Sequence, residues 1–257
     1  MTSPQTTPPF RLAYVPGVTP GKWARTWTER LPDVPLDLTG VSAAEAVEAL
    51  RGDRADAALV RLPIDRTGMS AIPLYTETTV VVVPKDHEVT AVDEVSLGDL
   101  ADYVVLHPLD DSLQWPSPPG LPAIERPATA ADAIELVAAG VGLLVVPQSL
   151  ARLHHRRDLA YRPVSDAPQS QVALSWLEER TTDLMEEFIG IVRGRTVNSS
   201  RGRTPAAAAN SATPAAQPKQ QRSGPGGGQK KPTARKPGSG GSQGAKSGKG
   251  GKPRRRA

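Results

Sequence analysis

The sequence predicts an α/β fold. Strand and helix signals alternate from Phe10 onward, a second alternating set follows Pro84, and every acidic residue lies before Phe188, which sets the last part of the chain apart. Residues 10–15 read as a strand. Thr19-Pro20 reads as an N-cap followed by proline at the first helical position, where the missing N–H is harmless. Trp23, Trp27 and Leu31 then share one helical stripe. Residues 34–38 are a second strand. Ser42 and Glu45 make a capping box, and Ala43, Ala46, Val47 and Leu50 continue at helical spacing. Residues 56–60 form a short apolar strand. The order is βαβαβ, which implies a parallel sheet.

The second set opens with a strand at 79–83, ended by Pro84. Residues 96–101 suggest a short helix, 103–106 a strand and 124–126 a weak strand. Thr129 caps a helix that carries Ala130, Ala133, Ile134, Val137 and Ala138 on one face. Gly140 and Gly142 break it before a strand at 143–146. Residues 161–164 and 172–177 read as later strands, and Thr181 or Thr182 caps a last helix with Leu184, Phe188 and Ile191 in line. No period of 20–50 residues repeats.

Charge and composition remove several classes of function. The 257 residues include no cysteine, so disulfides, thiolate metal sites and cysteine nucleophiles are excluded. Of the four histidines only His154 and His155 are neighbours, and adjacent helical residues face apart, so no metal site is expected. There is no G-x-S-x-G elbow, P-loop or dinucleotide fingerprint, hence no expected catalytic residue and no cofactor. No apolar run approaches the ~20 residues that span a bilayer. Residues 1–9 lack the basic start and apolar core of a secretory signal, so a cytoplasmic protein is expected. The net charge of +4 conceals a split: residues 1–187 hold 15 Lys/Arg and 27 Asp/Glu, whereas 188–257 hold 16 Lys/Arg and no acid. Residues 194–257 contain 13 glycines, 7 prolines and no aromatic residue, which predicts a disordered basic tail.

Three stretches carry a family likeness. The first runs from Leu36 through Ser42 to Gly52-Asp-Arg-Ala-Asp-Ala-Ala-Leu59, a strand, a helix ending in "L-x-x-G", then "x-D-A-A-L". The second is Ile72-Pro-Leu-Tyr-Thr-Glu77 with Val80-Val-Val-Val-Pro84 and His87. The third is Val137-Ala-Ala-Gly-Val-Gly-Leu-Leu-Val-Val-Pro147. In this order they resemble the effector-binding domain of LysR-type bacterial transcription regulators. The resemblance implies a type 2 periplasmic-binding-protein-like fold, two doubly wound lobes around a central cleft. It places lobe one at 10–84 and 166–193 and lobe two at 85–165, between a disordered 1–9 and the tail. It also implies a small-molecule effector and a homodimer. Two departures stand out. No helix-turn-helix precedes Phe10, and Pro116, Pro118, Pro119 and Pro122 rule out the continuous helix that family members carry there.

In a doubly wound sheet, ligands sit at the carboxyl ends of strands, where helix N-termini favour anions. The resemblance places Thr19, Ser42, Arg61 and Thr129 around such a cleft, with His107 facing them from lobe two. Arg61 is suited to clamp an anionic group bidentately. Each residue also has a plainer reading. Thr19, Ser42 and Thr129 are good N-caps that need no ligand. Arg61 is placed to pair with Asp65, His107 to be a satisfied strand-end histidine, and Trp23 and Trp27 to serve the core or a dimer contact. The leading expectation is an effector-binding regulatory protein for an organic anion. The alternative is a nucleic-acid-associated adaptor, its tail supplying sequence-nonspecific phosphate contacts.

Overall fold

A computed structural model describes residues 7–195, so all of the tail except Gly194 and Arg195 lies outside the described residues. The first sheet has the order β2-β1-β3-β10-β4, with β1 (Phe10–Tyr14), β2 (Leu36–Gly40), β3 (Ala57–Leu62), β4 (Met69–Glu77) and β10 (Ser170–Leu177). The helices α1 (Gly21–Arg30) and α2 (Ala43–Arg51) connect β1 to β2 and β2 to β3. Those three strands are parallel, as βαβαβ requires, while β10 and β4 join antiparallel. A last helix, α5 (Asp183–Val192), is capped by the Thr182 hydroxyl, which accepts from Met185 N.

The core of this lobe is aromatic. The stripe of α1 brings Trp27 to within 4.8 Å of Phe10 and 5.8 Å of Phe188, ring centre to ring centre, and the Trp27 indole donates to Val34 O. Trp27 is fully buried, so it is core and takes no part in a dimer surface. Such a ring trio adds of order 0.5–1.5 kcal/mol per pair beyond its buried area.

The second sheet has the order β7-β6-β8-β5-β9, with β5 (Thr79–Pro84), β6 (Val104–Leu106), β7 (Leu121–Pro122), β8 (Leu143–Pro147) and β9 (Leu159–Pro163). Val80 and Val82 face α3 (Ala130–Ala138) and α4 (Gln148–Leu153), whereas Val81 and Val83 face Val89, Val95, Leu100 and Leu113. Burial on both faces is why β5 reads as an unbroken valine run. The expected end of lobe one at residue 84 is corrected here. β5 pairs with β8 and β9, so the chain leaves the first sheet after Glu77, and it returns between Pro163 and Ser170.

Other elements differ locally. The expected strand at 124–126 does not form; β7 is Leu121–Pro122 and the Ile124 side chain is fully exposed. The short helix at 96–101 is one 3₁₀ turn, Gly98–Leu100. The proline-rich segment 109–120 carries no helix, as its prolines dictate.

Candidate functional site

The two crossovers lie side by side. Gln148 N donates to Thr78 O at 2.9 Å, Val164 N donates to Thr79 O at 3.0 Å, and the Thr79 hydroxyl donates to Pro168 O. Beside this hinge the lobes enclose a cleft of about 960 Å³. Lobe one contributes Tyr14, the 16–21 segment, Leu38 and 75–77. Lobe two contributes Gln148, Ser149, Arg152 and Leu153 from α4, and Thr78 lies between. The volume falls within the ~300–1,000 Å³ usual for small-molecule sites.

Thr19 is exposed in the cleft wall. It is not a helix cap. Pro20 holds the N-cap position of α1 in the helical region, and the N–H groups of Trp23 and Ala24 both donate to its carbonyl. The Thr19 hydroxyl is therefore spared for the cleft.

Arg61 lies directly behind the wall and is committed to the protein. Its Nε donates to Glu77 Oε2 at 2.8 Å, Nη1 to Pro16 O at 2.7 Å and Nη2 to Ser149 Oγ at 3.0 Å. The Arg61 and Glu77 side chains are 5% and 6% exposed, so this is a buried ion pair within lobe one, and the bond to Ser149 ties it to lobe two. The Asp65 partner expected from the sequence is corrected: Asp65 pairs with Arg51, while the alternation of β3 turns Arg61 inward. Gly17 makes the approach possible. Its φ is +82°, and a Cβ there would sit 2.7 Å from Ser149 Oγ.

The other three expected residues do not line this cleft. Ser42 is spent on its capping box with Glu45, whose carboxyl is held below the usual range by its bonds from the Ser42 N–H and hydroxyl. Thr129 makes the equivalent box with Asp132, and Ala130 N, in the same turn, donates to Asp110 Oδ1 at 2.7 Å. His107 Nε2 lies 3.2 Å from Pro119 O, and its ring meets Trp115 edge-on. Its environment is the proline-rich segment.

Tyr14, Leu38, Tyr75, Ser149 and Arg152 were not singled out from the sequence. Ser149 and Arg152 had a usable signal, because α4 begins at the carboxyl end of β8, the location that pointed to Thr19. Tyr14, Leu38 and Tyr75 come from three separate strands and share no motif. Burial raises the Tyr75 phenol above its ordinary value, with Glu77 adding to the shift. Among the described residues there is no cluster of histidines and acids suited to a metal ion, and no helix long and apolar enough to cross a membrane.

Two doubly wound lobes joined by two crossovers around a cleft define a ligand-binding α/β domain. The chain belongs to the LysR substrate binding domain family, whose model matches residues 6–196. A probable hydrogen peroxide-inducible genes activator of Mycobacterium avium is 32% identical over 152 residues, covering 54% of this chain and 49% of the relative. The regulator AlsR of Bacillus subtilis is 25% identical over 181 residues, covering 65% of this chain and 59% of AlsR. This chain thus spans about half to three fifths of those relatives. Among solved structures, the BenM effector binding domain with its effector benzoate is similar with a TM-score of 0.61 at 20% identity, covering 73% of this chain and 91% of that one. The oxidized form of OxyR has a TM-score of 0.61 at 18% identity, covering 73% and 94%.

Proposed function

We propose that this chain is the sensing part of a LysR-type transcription regulator and binds a small organic anion in the inter-lobe cleft without turning it over. The observation that carries the reading is a cleft of about 960 Å³ at the hinge of a domain from this family. Thr19 contributes a hydroxyl to its wall, and Arg61 with Glu77 braces it from behind. Ligand bound between the lobes favours one relative orientation of them, which is how occupancy reaches the rest of a regulator. Peroxide sensing through a thiol does not fit, since the chain has no cysteine. The reading includes a cytoplasmic location and a homodimer through the exposed side of α1, where Trp23 is half-buried.

The test is a thermal-shift screen of the chain against a broad library of metabolite carboxylates. A ligand at 100 times its Kd stabilises the folded state by about 2.7 kcal/mol. A library that yields no shift, together with protein that purifies without any bound small molecule, overturns the reading.

A second reading concerns output and rests on charge. The 16 Lys/Arg after residue 187, with no acid among them, suit nonspecific contact with nucleic-acid phosphates. The two readings are compatible, because they use different parts of the chain.

A further inference from the structure

The charges at the cleft point to which residue receives a ligand's anionic group. Arg61 is the residue that the sequence suggests, but its guanidinium is buried and already bonded to Glu77, Pro16 and Ser149. Glu77 is the only acid in the cleft wall, and that pairing neutralises it. The wall holds one other ionic side chain, Arg152 of α4. Among the described residues no carboxylate pairs with Arg152, and its one side-chain hydrogen bond runs from Nε to the Tyr161 hydroxyl at 3.4 Å.

We propose that Arg152 receives the carboxylate of the cleft's ligand, and that the ligand's apolar body lies against Tyr14, Leu38, Tyr75 and Leu153. The proposal rests on reading the cleft as a ligand site. Arg152 stands three and four residues after Ser149 and Gln148, so all three share one side of α4. With Nε directed at Tyr161, both Nη groups remain to form a fork, the arrangement that matches a carboxylate. An organic cation entering the cleft meets no unpaired acid. The large hydrophobic side chains explain the rest of the ligand. Leu38, Tyr75 and Leu153 are 42%, 39% and 53% exposed, and an apolar ligand body removes that surface from water.

Tyr75 completes the chemistry. A phenol is neutral at physiological pH, and burial with the neighbouring Glu77 raises it further, so it stands beside the ligand as a neutral donor and adds no second negative charge. The polar groups at the hinge end of the wall, Thr76, Thr78 and Gln148, are neutral as well. Arg152 therefore sets the charge preference of the cleft by itself.

The experiment uses the whole chain and matched probes: benzoate against benzamide, and octanoate against octanamide, titrated by calorimetry and thermal shift. Two variants accompany the wild type. Arg152→Gln removes the charge at an exposed position, and Leu38→Trp fills the cleft. The expected result is that at least one carboxylate binds and its amide does not. Arg152→Gln then weakens that carboxylate roughly 10- to 100-fold, the range of a lost charge-assisted bond, and leaves the unliganded melting temperature unchanged. Leu38→Trp abolishes the same binding. If acid and amide bind alike, or Arg152→Gln binds the acid as well as wild type does, the role of Arg152 is overturned while the cleft stands as a ligand site. Carboxylate binding that survives Leu38→Trp lies elsewhere and overturns the proposal. If all four probes fail to bind at millimolar concentration, the apolar-carboxylate assignment falls, and the wider metabolite screen then decides separately whether the cleft binds any ligand.

Discussion

Arg61 carries its charge where water scarcely reaches, and its energetics follow from that. Removing one partner of a buried ion pair leaves the other charged and unpaired, at a cost of about 3–5 kcal/mol. Arg61→Ala should therefore act chiefly on folding, by stranding Glu77, and only secondarily on any ligand. The double variant Arg61→Met/Glu77→Gln removes both charges and should recover most of the lost stability in urea unfolding. A single variant as stable as wild type would show that the pair is dispensable. The position of Arg61 near the carboxyl end of a strand was legible in the sequence. Its partner was not, because a guanidinium chooses among carboxylates by tertiary placement. Asp65 lies four residues away and belongs to Arg51, whereas Glu77 lies sixteen residues away, at the end of β4 in the same sheet.

At the scale of elements, α3 shows how a helix N-terminus can be filled from within. Thr129 and Asp132 close the capping box, and Asp110 from the proline-rich segment takes the Ala130 N–H. Burial pushes the Asp110 carboxyl above its ordinary value, and the bond from Ala130 N only partly offsets this. A carboxyl whose folded pKa is raised contributes stability that is complete below its unfolded pKa and is lost as pH rises through the folded value. Asp110→Asn keeps an oxygen for Ala130 N and does not titrate. The melting temperature of the variant relative to wild type should therefore climb between about pH 3 and pH 6, the span over which carboxyls ionise. A difference that stays flat or falls over that span counts against the account.

The legibility of the elements follows the same physics. The Ser42 capping box, the Thr129 cap and the βαβαβ opening were readable because local side-chain bonds and helical spacing fix them. The edge strand β4 was not. Pro73 interrupts its pattern at the place where the register with β10 slips, between Val172 and Ala173, and proline is tolerated there because an edge strand has an N–H side to spare. The six residues of α4 are too few to show a period, so Ser149 and Arg152 stayed hidden with them. Of the five residues expected in the site, Thr19 lines the cleft and Arg61 braces it, while Ser42, Thr129 and His107 are satisfied elsewhere.

Over the whole molecule the dominant asymmetry is electrostatic. Residues 1–187 carry a net charge of −12, and residues 188–257 carry 16 positive charges with none to oppose them. Duplex DNA repels the first part, so any affinity this chain has for it should come from the second. Contacts of that kind go to phosphates and read no bases. Residues 194–257 of it hold no aromatic residue on which an unpaired base could stack, and Phe188 is buried in the core of lobe one, which argues against a preference for single strands. Binding of the full chain to duplex DNA should be weak, with a Kd of about 10⁻⁴–10⁻⁶ M at physiological salt, and should fall steeply as salt rises. Two duplexes of unrelated sequence should bind alike. Deleting 196–257 removes 14 of the 16 cations and should abolish DNA binding while leaving ligand binding in the cleft unchanged. Fluorescence anisotropy across a salt series measures each of these. A truncated chain that still selects one duplex over another would place a DNA-reading surface on the acidic body. A full chain that binds no duplex even in dilute salt would remove nucleic acid from the partners of this chain.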